Sequence, residues 1–263
     1  METGLKGKVA LVAGASRGLG RAVAEGLAAE GCALAICARG KDDLASAAAE
    51  IAERHGVEVW QRAIDLCRKK AGTGFVEQAL DKFGRVDVLI NNAGGPPAGG
   101  WEDFDQSDWQ KAVDLTLFSA LEMTRAALPF MQEKGWGRVI NMTSISVKQP
   151  IAGLMLSNSI RAAVVGWAKS LADEVAAQGI TVNNVLPGYI HTERVEALLE
   201  HRAKTQDITR DQALADVVKA IPLGRAGKPD EFADLVVFLA SERASYITGA
   251  SYLIDGGMHR GIT

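Results

Sequence analysis

Short, mostly apolar runs alternate along the chain with longer stretches whose apolar residues recur every three or four positions. The runs are Val9–Val12, Cys32–Ala38, Val57–Ile64, Val86–Ile90, Val139–Thr143 and Ile180–Leu186. Bounded by Gly, Pro, Asn or Arg, they predict strands buried on both faces. Between them, Leu19, Val23, Ala24 and Leu27 keep helical spacing, and helices are predicted at Leu44–Arg54 and Phe75–Phe83. Two long helices come next, Trp109–Gln132 with Val113, Leu117, Leu121 and Leu128 on its apolar face, and Leu154–Gln178. Strands alternating with helices throughout predict an α/β fold with a doubly wound parallel sheet, helices on both faces and the ligand outside the carboxyl ends of the strands. No internal linker interrupts the pattern, so residues 1–263 are expected to form one domain. Only 191–220 differs, turning polar and charged, with helical stretches at Arg194–Lys204 and Arg210–Lys219.

Composition narrows the classes of function. Of the 263 residues, 48% are hydrophobic and 23% charged, which suits a well-cored globule and excludes disorder. A net charge of −3 without clustered Lys and Arg argues against a nucleic-acid surface. The segment Met1–Gly7 lacks a basic stretch followed by an apolar one, and no later apolar run could span a membrane. A cytoplasmic protein without membrane or nucleic-acid partners is expected. Cys32, Cys37 and Cys67 show neither metal spacing nor a disulfide framework. Reduced thiols and no metal are therefore expected.

Chemistry first shows at the end of the opening strand, in Gly14-Ala15-Ser16-Arg17-Gly18-Leu19-Gly20. The hydrophobic period changes from strand to helix at these glycines. Residues without a Cβ let backbone N–H groups and a helix N-terminus face a diphosphate at close range, so the turn reads as a dinucleotide site. The segment resembles the short-chain dehydrogenases/reductases, of the 3-oxoacyl-(acyl carrier protein) reductase type, although Ala13 stands where that family usually has Thr. Further matches are Asn91-Asn92-Ala93-Gly94 after the fourth strand, Pro187-Gly188, Ile221-Pro222-Leu223-Gly224-Arg225, Pro229-Asp230-Glu231, Ile247-Thr248-Gly249 and Asp255-Gly256-Gly257. The resemblance covers Leu5 to Gly257 and implies a single Rossmann-type domain.

The resemblance also implies a cofactor path. Gly14, Ser16, Arg17, Gly18, Leu19 and Gly20 would hold the diphosphate, Asp65 and Leu66 the adenine, and Asn92, Ala93 and Gly94 would pass beside the nucleotide. Pro187, Gly188, Ile190 and Thr192 would approach the nicotinamide, and Asn91 would tie neighbouring strands together. An acidic residue after the second strand would bind the 2′-hydroxyl of NAD(H). Here the residue is Arg39, with Arg17 able to reach the same place, so NADP(H) is favoured over NAD(H). The loop Gly95–Gly100 reads equally as a border of the substrate or as a plain turn. Segment 191–220 would cover a small carbonyl or alcohol substrate, and a homotetramer, or a homodimer, is implied.

At the reaction centre the pattern breaks. The family uses an Asn, a Ser and a Tyr-x-x-x-Lys pair. Spacing from the Ser, and the match of Ala162–Ala172 to the helix stretch after the family Lys, agree on the register. Ser144 is kept, Ser157 stands for the Tyr, Arg161 for the Lys, and Thr116 for the Asn. Arg161 falls one turn from Ser157 on the same helix face, where it could reach the nicotinamide ribose or a substrate carboxylate. Tyr189 and His191 are the remaining proton-bearing groups of the neighbourhood. A reductase with an atypical Ser144–Ser157–Arg161 centre is the leading expectation. The alternatives are a catalytically silent nucleotide-binding sensor or partner subunit, and a non-redox dehydratase or isomerase on the same fold.

Overall fold

In the computed structural model the apolar runs become one parallel sheet, and residues 2–262 are described. Met1 and Thr263, the ends of the expected domain, lie outside the described residues. The seven strands are β1 (Val9–Ala13), β2 (Ala33–Ala38), β3 (Val59–Ala63), β4 (Val88–Asn91), β5 (Gly137–Met142), β6 (Ile180–Pro187) and β7 (Ser251–Ile254). Their order is β3-β2-β1-β4-β5-β6-β7. The order reverses between β1 and β4, and a crevice for a ligand opens at such a reversal.

Both faces are covered, which is why the central strands β1 and β2 read as unbroken apolar runs, while the edge strand β3 carries Gln61 and Arg62. Ala10 and Val12 of β1 pack with α1 (Gly18–Ala29), α2 (Lys41–His55) and, late in the chain, Pro229–Ala240. Val9, Leu11 and Ala13, pointing the other way, pack with α3 (Ala71–Phe83) and with the two long helical regions. Among the described residues no helix is long and apolar enough to cross a membrane.

The first long helix departs from its prediction. It is α4 (Gln106–Val113), a π turn over Asp114–Phe118, and α5 (Ser119–Lys134). In the π turn the Ser119 N–H donates to the Asp114 carbonyl, and the Ser119 hydroxyl donates to the carbonyl of Leu115. Such a bulge re-aims the side chains of its own turn. The second long helix, α6 (Met155–Val175), starts at the expected place and ends in a 3-10 turn over Ala176–Gln178. Segment 191–220 forms α7 (Glu193–Gln206) and α8 (Arg210–Ala220), and α9 (Pro229–Ala240) comes after them. Leu199, Ala203, Ala213, Val217 and Ile221 give α7 and α8 a small core of their own.

A line of amides braces the carboxyl half of the sheet. Asn91 Nδ2 donates to Asn141 Oδ1 (2.8 Å), Asn141 Nδ2 to Asn184 Oδ1 (3.1 Å), and Asn184 Nδ2 to Ser251 Oγ (3.2 Å). The expected strand-tying role of Asn91 thus extends from β4 through β5 and β6 to β7.

Candidate active site

The glycine turn between β1 and α1 is fixed by close approach. Gly14 has φ +63°, and a Cβ on Gly20 would strike the Gly14 carbonyl and lie 2.6 Å from Asn92 Nδ2. Asn92 Nδ2 donates to the carbonyls of Ala13 (3.2 Å) and Gly14 (3.4 Å), joining the ends of β1 and β4. Helix α1 begins at Gly18 with no side chain capping it, so its first amides face the crevice unpaired. Thr192 lies above them, its methyl 3.7 Å from where a Cβ of Gly18 would stand. Thr192 also caps α7 by accepting from the Val195 N–H (3.4 Å).

The other expected cofactor residues gather around this turn. Arg39 is exposed just after β2 and has no hydrogen-bond or ion-pair partner among the described residues. Arg17 is also exposed but pairs with Glu193 of α7 (2.6 Å). Asp65 Oδ1 accepts from the Cys67 N–H (3.1 Å), and Leu66 is packed into the core. The Gly188 N–H donates to the Ile254 carbonyl (3.0 Å), and Ile190 is buried against Gly227.

On helix α6, Leu156 and Ile160 are buried against Ala112 of α4, near Trp109 and Leu117, whereas Arg161 and Val164 line the crevice, with Ser157 one turn before Arg161. Ser157 is 7% exposed. Ser144 caps a 3-10 turn by accepting from the Ser146 N–H (3.0 Å), which leaves its own O–H free to donate. The loop after β4 is tied to the start of α6, since the Gly99 N–H donates to Gly153 O (2.7 Å) and the Met155 N–H to Gly99 O (3.2 Å).

Arg161 is engaged differently from the expectation. Its Nη1 donates to the carbonyls of Met142 (2.9 Å) and Thr143 (2.8 Å), and its Nη2 to Gly94 O (2.8 Å). Three of the five guanidinium donors therefore clasp the loops after β4 and β5. Burial, and then the charge of Arg194, push its pKa down to about 10. Beneath it lies a cavity of about 10 Å³ lined by Asn91, Thr116, Thr143 and Arg161. Asn91 Oδ1, Thr116 Oγ1 and Thr143 Oγ1 are buried there without a hydrogen-bond partner among the described residues.

The other proton-bearing groups point elsewhere. His191 is exposed with Nδ1 3.4 Å from Glu196, and Tyr189 packs against the core of α7 and α8, where burial raises its pKa. The cysteines are unpaired, and burial pushes the Cys37 thiol up to about 12. Two residues with a part here escape a reading of the sequence. Asn158 holds the backbone of Ile151 through both its amide atoms, and Arg194 Nη2 donates to Pro96 O (2.7 Å). Nothing in a charged, irregular segment marks one Arg over the next; the side-chain-free Gly94-Gly95 stretch is the available hint.

Comparison with known proteins bears on the family and the fold. The family model for enoyl-(acyl carrier protein) reductase matches residues 14–259. The D-beta-hydroxybutyrate dehydrogenase of Cupriavidus necator is 36% identical over 255 residues, covering 96% of this chain and 98% of that protein. The 3-oxoacyl-(acyl-carrier-protein) reductase of Aquifex aeolicus is 34% identical over 258 residues, covering 98% of this chain and 100% of the relative. Among solved structures, L-sorbose reductase from Gluconobacter frateurii, complexed with NADPH and L-sorbose, matches with a TM-score of 0.94 at 34% identity over 100% of both chains. Sequence and fold agree along essentially the whole length, and the chain belongs to the short-chain dehydrogenase/reductase family.

Proposed function

We propose that the chain is an NADP(H)-dependent oxidoreductase that moves hydride between the nicotinamide and the carbonyl or alcohol carbon of a small substrate. The observation that carries this reading is the cradle: uncapped amides of α1 against a side-chain-free turn, with Arg39 unpartnered at its mouth. The uncapped amides after Arg17 would hold the diphosphate, as free helix N-termini do. Arg39 and Arg17 would take the phosphate on the adenosine ribose, the latter by exchanging Glu193 for it. Leu66 would lie beside the adenine and Gly94, Ile190 and Thr192 near the nicotinamide. When bound, the dinucleotide supplies the carbon that gives or takes hydride. That a cofactor of this kind suits the fold is supported by the NADPH complex of the L-sorbose reductase.

In the reducing direction the carbonyl carbon gains hydride and its oxygen becomes an alkoxide that needs donors and then a proton. Ser144 and Ser157 supply the O–H donors, and Arg161 adds a fixed positive charge while keeping the two loops in place. A serine hydroxyl is no better an acid than water, so Ser157 and Ser144 orient and relay, and the net proton is taken from bulk solvent through an ordered water. The cavity under Thr116 has room for one such molecule, with three unpartnered oxygens to hold it. Carbonyl, NADPH and a proton give alcohol and NADP⁺. Helices α7 and α8 form the cover over the substrate.

A silent nucleotide-binding role is the second reading, favoured by the clasp of Arg161 on three carbonyls and by the absence of a phenol on the α6 face. Nicotinamide fluorescence on titrating NADPH and NADH, with NADPH oxidation by ketones, diketones and quinones measured next, separates the two. The oxidoreductase reading expects tighter NADPH binding and turnover that falls in Ser157→Ala. Binding with no turnover of any carbonyl would leave the silent role standing.

A further inference from the structure

Two guanidinium groups converge where no acid answers them. Arg161 arrives from α6 and Arg194 from α7, and both Nη2 atoms meet over Gly95. A Cβ placed on Gly95 would lie 3.4 Å from Arg194 Nη2 and 3.5 Å from both Arg161 Nη2 and Arg194 Nε. Each is anchored by a neighbouring carbonyl, Arg161 by Gly94 and Arg194 by Pro96. Neither makes an ion pair among the described residues, although Arg17, Arg21, Arg54, Arg85, Arg202, Arg210 and Arg225 all do. The nearby acids are committed elsewhere, Glu193 to Arg17 and Glu196 to Arg210 and His191. Like charges held this close are unfavourable until an anion joins them. Burial lowers the pKa of both groups, and for Arg161 the charge of Arg194 adds to that effect.

We propose that Arg161 and Arg194 form a clamp for the carboxylate of the substrate, which is an oxo acid, or its hydroxy acid, rather than a neutral ketone or alcohol. The carbonyl in this statement rests on the oxidoreductase reading above; the carboxylate rests on the arginines alone. Among the described residues, Nε–H and one Nη2–H of Arg161 have no partner, nor do Nε–H, both Nη1–H and one Nη2–H of Arg194. A carboxylate is planar, with lone pairs on two oxygens, and matches the edge of a guanidinium fork bidentately. Gly95 leaves the space between the forks open. The same Arg161 fork touches the carbonyl of Thr143, directly before Ser144, so a carboxylate held here brings its chain beside the hydroxyl donors. Arg194 is a specificity residue in this arrangement, and it takes no part in proton or hydride transfer.

The competing source for the same anion is a phosphate of the nucleotide, and the test has an arm for each. Propionate and its neutral isostere propionamide are titrated by calorimetry into the NADPH-saturated protein and into Arg194→Gln. The clamp expects propionate to bind at least about tenfold more tightly than propionamide, a difference that Arg194→Gln removes and Arg194→Lys partly keeps. NADPH affinity, read by fluorescence, shifts by much less than the carboxylate affinity. In kinetics, 2-oxobutanoate, 3-oxobutanoate and 4-oxopentanoate are compared with their methyl esters. The ratio of kcat/KM for acid over ester falls at least about tenfold in Arg194→Gln. Equal binding of propionate and propionamide overturns the clamp. A loss of NADPH affinity in Arg194→Gln equal to the loss for propionate assigns the pair to a nucleotide phosphate and overturns it as well. If no carbonyl is turned over but propionate binds through Arg194, the clamp stands and the oxidoreductase reading falls.

Discussion

The glycine turn and the crevice face of α6, the proposed nucleotide cradle and reaction centre, are built by different means. The cradle is made of backbone: an uncapped helix start, a turn with a positive φ at Gly14, and a Gly20 packed on the carbonyl of Gly14. The proposed reaction centre draws on side chains from separate elements: Ser144 after β5, Ser157 and Arg161 on α6, Thr116 in the π turn and Arg194 on α7. A backbone device tolerates almost no change, because any Cβ at Gly20 meets an atom that cannot move. A side-chain device can change its chemistry by single substitutions while its supports stay put. On the proposed reading, that difference would let the glycine turn keep its spacing while the side chains at positions 157 and 161 change.

The contrast is challenged most forcefully by giving the centre the acid it lacks. In the double variant Ser157→Tyr with Arg161→Lys, kcat for carbonyl reduction should rise by about 10²- to 10⁴-fold, the usual contribution of a positioned general acid. Unchanged turnover in a folded double variant would show that the centre is limited by something other than proton donation. Next in size is damage to the cradle. Gly20→Val should cost about 1–3 kcal/mol of stability through overpacking, read as a lower denaturant midpoint, and should abolish NADPH binding. The smallest effect concerns Arg39. Arg39→Gln should weaken NADPH by about tenfold and leave NADH nearly unchanged, since it removes one charge-assisted contact to the extra phosphate. Equal losses for both nucleotides would assign Arg39 to something they share.

Much of the fold was legible because its signals are periodic. Unbroken apolar runs such as Val9–Val12 mark strands covered on both faces, and the glycine spacing marks a turn that only glycine can make. The break in the first long helix was not legible. The apolar stripe of Val113, Leu117 and Leu121 runs through it, and the π turn depends on where Ser119 sends its hydrogen bonds. The register of α6 gave Ser157 and Arg161 their places, but not what the Arg161 fork would hold. Its partners are backbone carbonyls, which every residue carries, so no pattern of residue types can announce them. Arg194 was hidden for a related reason: it meets Arg161 across Gly95 only because the fold brings the two together.

The amide line from Asn91 to Ser251 also limits how the molecule can move. Every link points the same way, donor to acceptor, and Asn92 next to its start grips the turn after β1. Removing one member would strand a buried donor on one side and an acceptor on the other. The floor of the crevice is thus bolted from β1 to the edge strand β7. Helices α7 and α8, by contrast, have a small core of their own and reach the rest of the molecule through contacts such as Arg17–Glu193 and Arg194–Pro96, so a change of shape around a bound ligand would fall to them before it reached the floor.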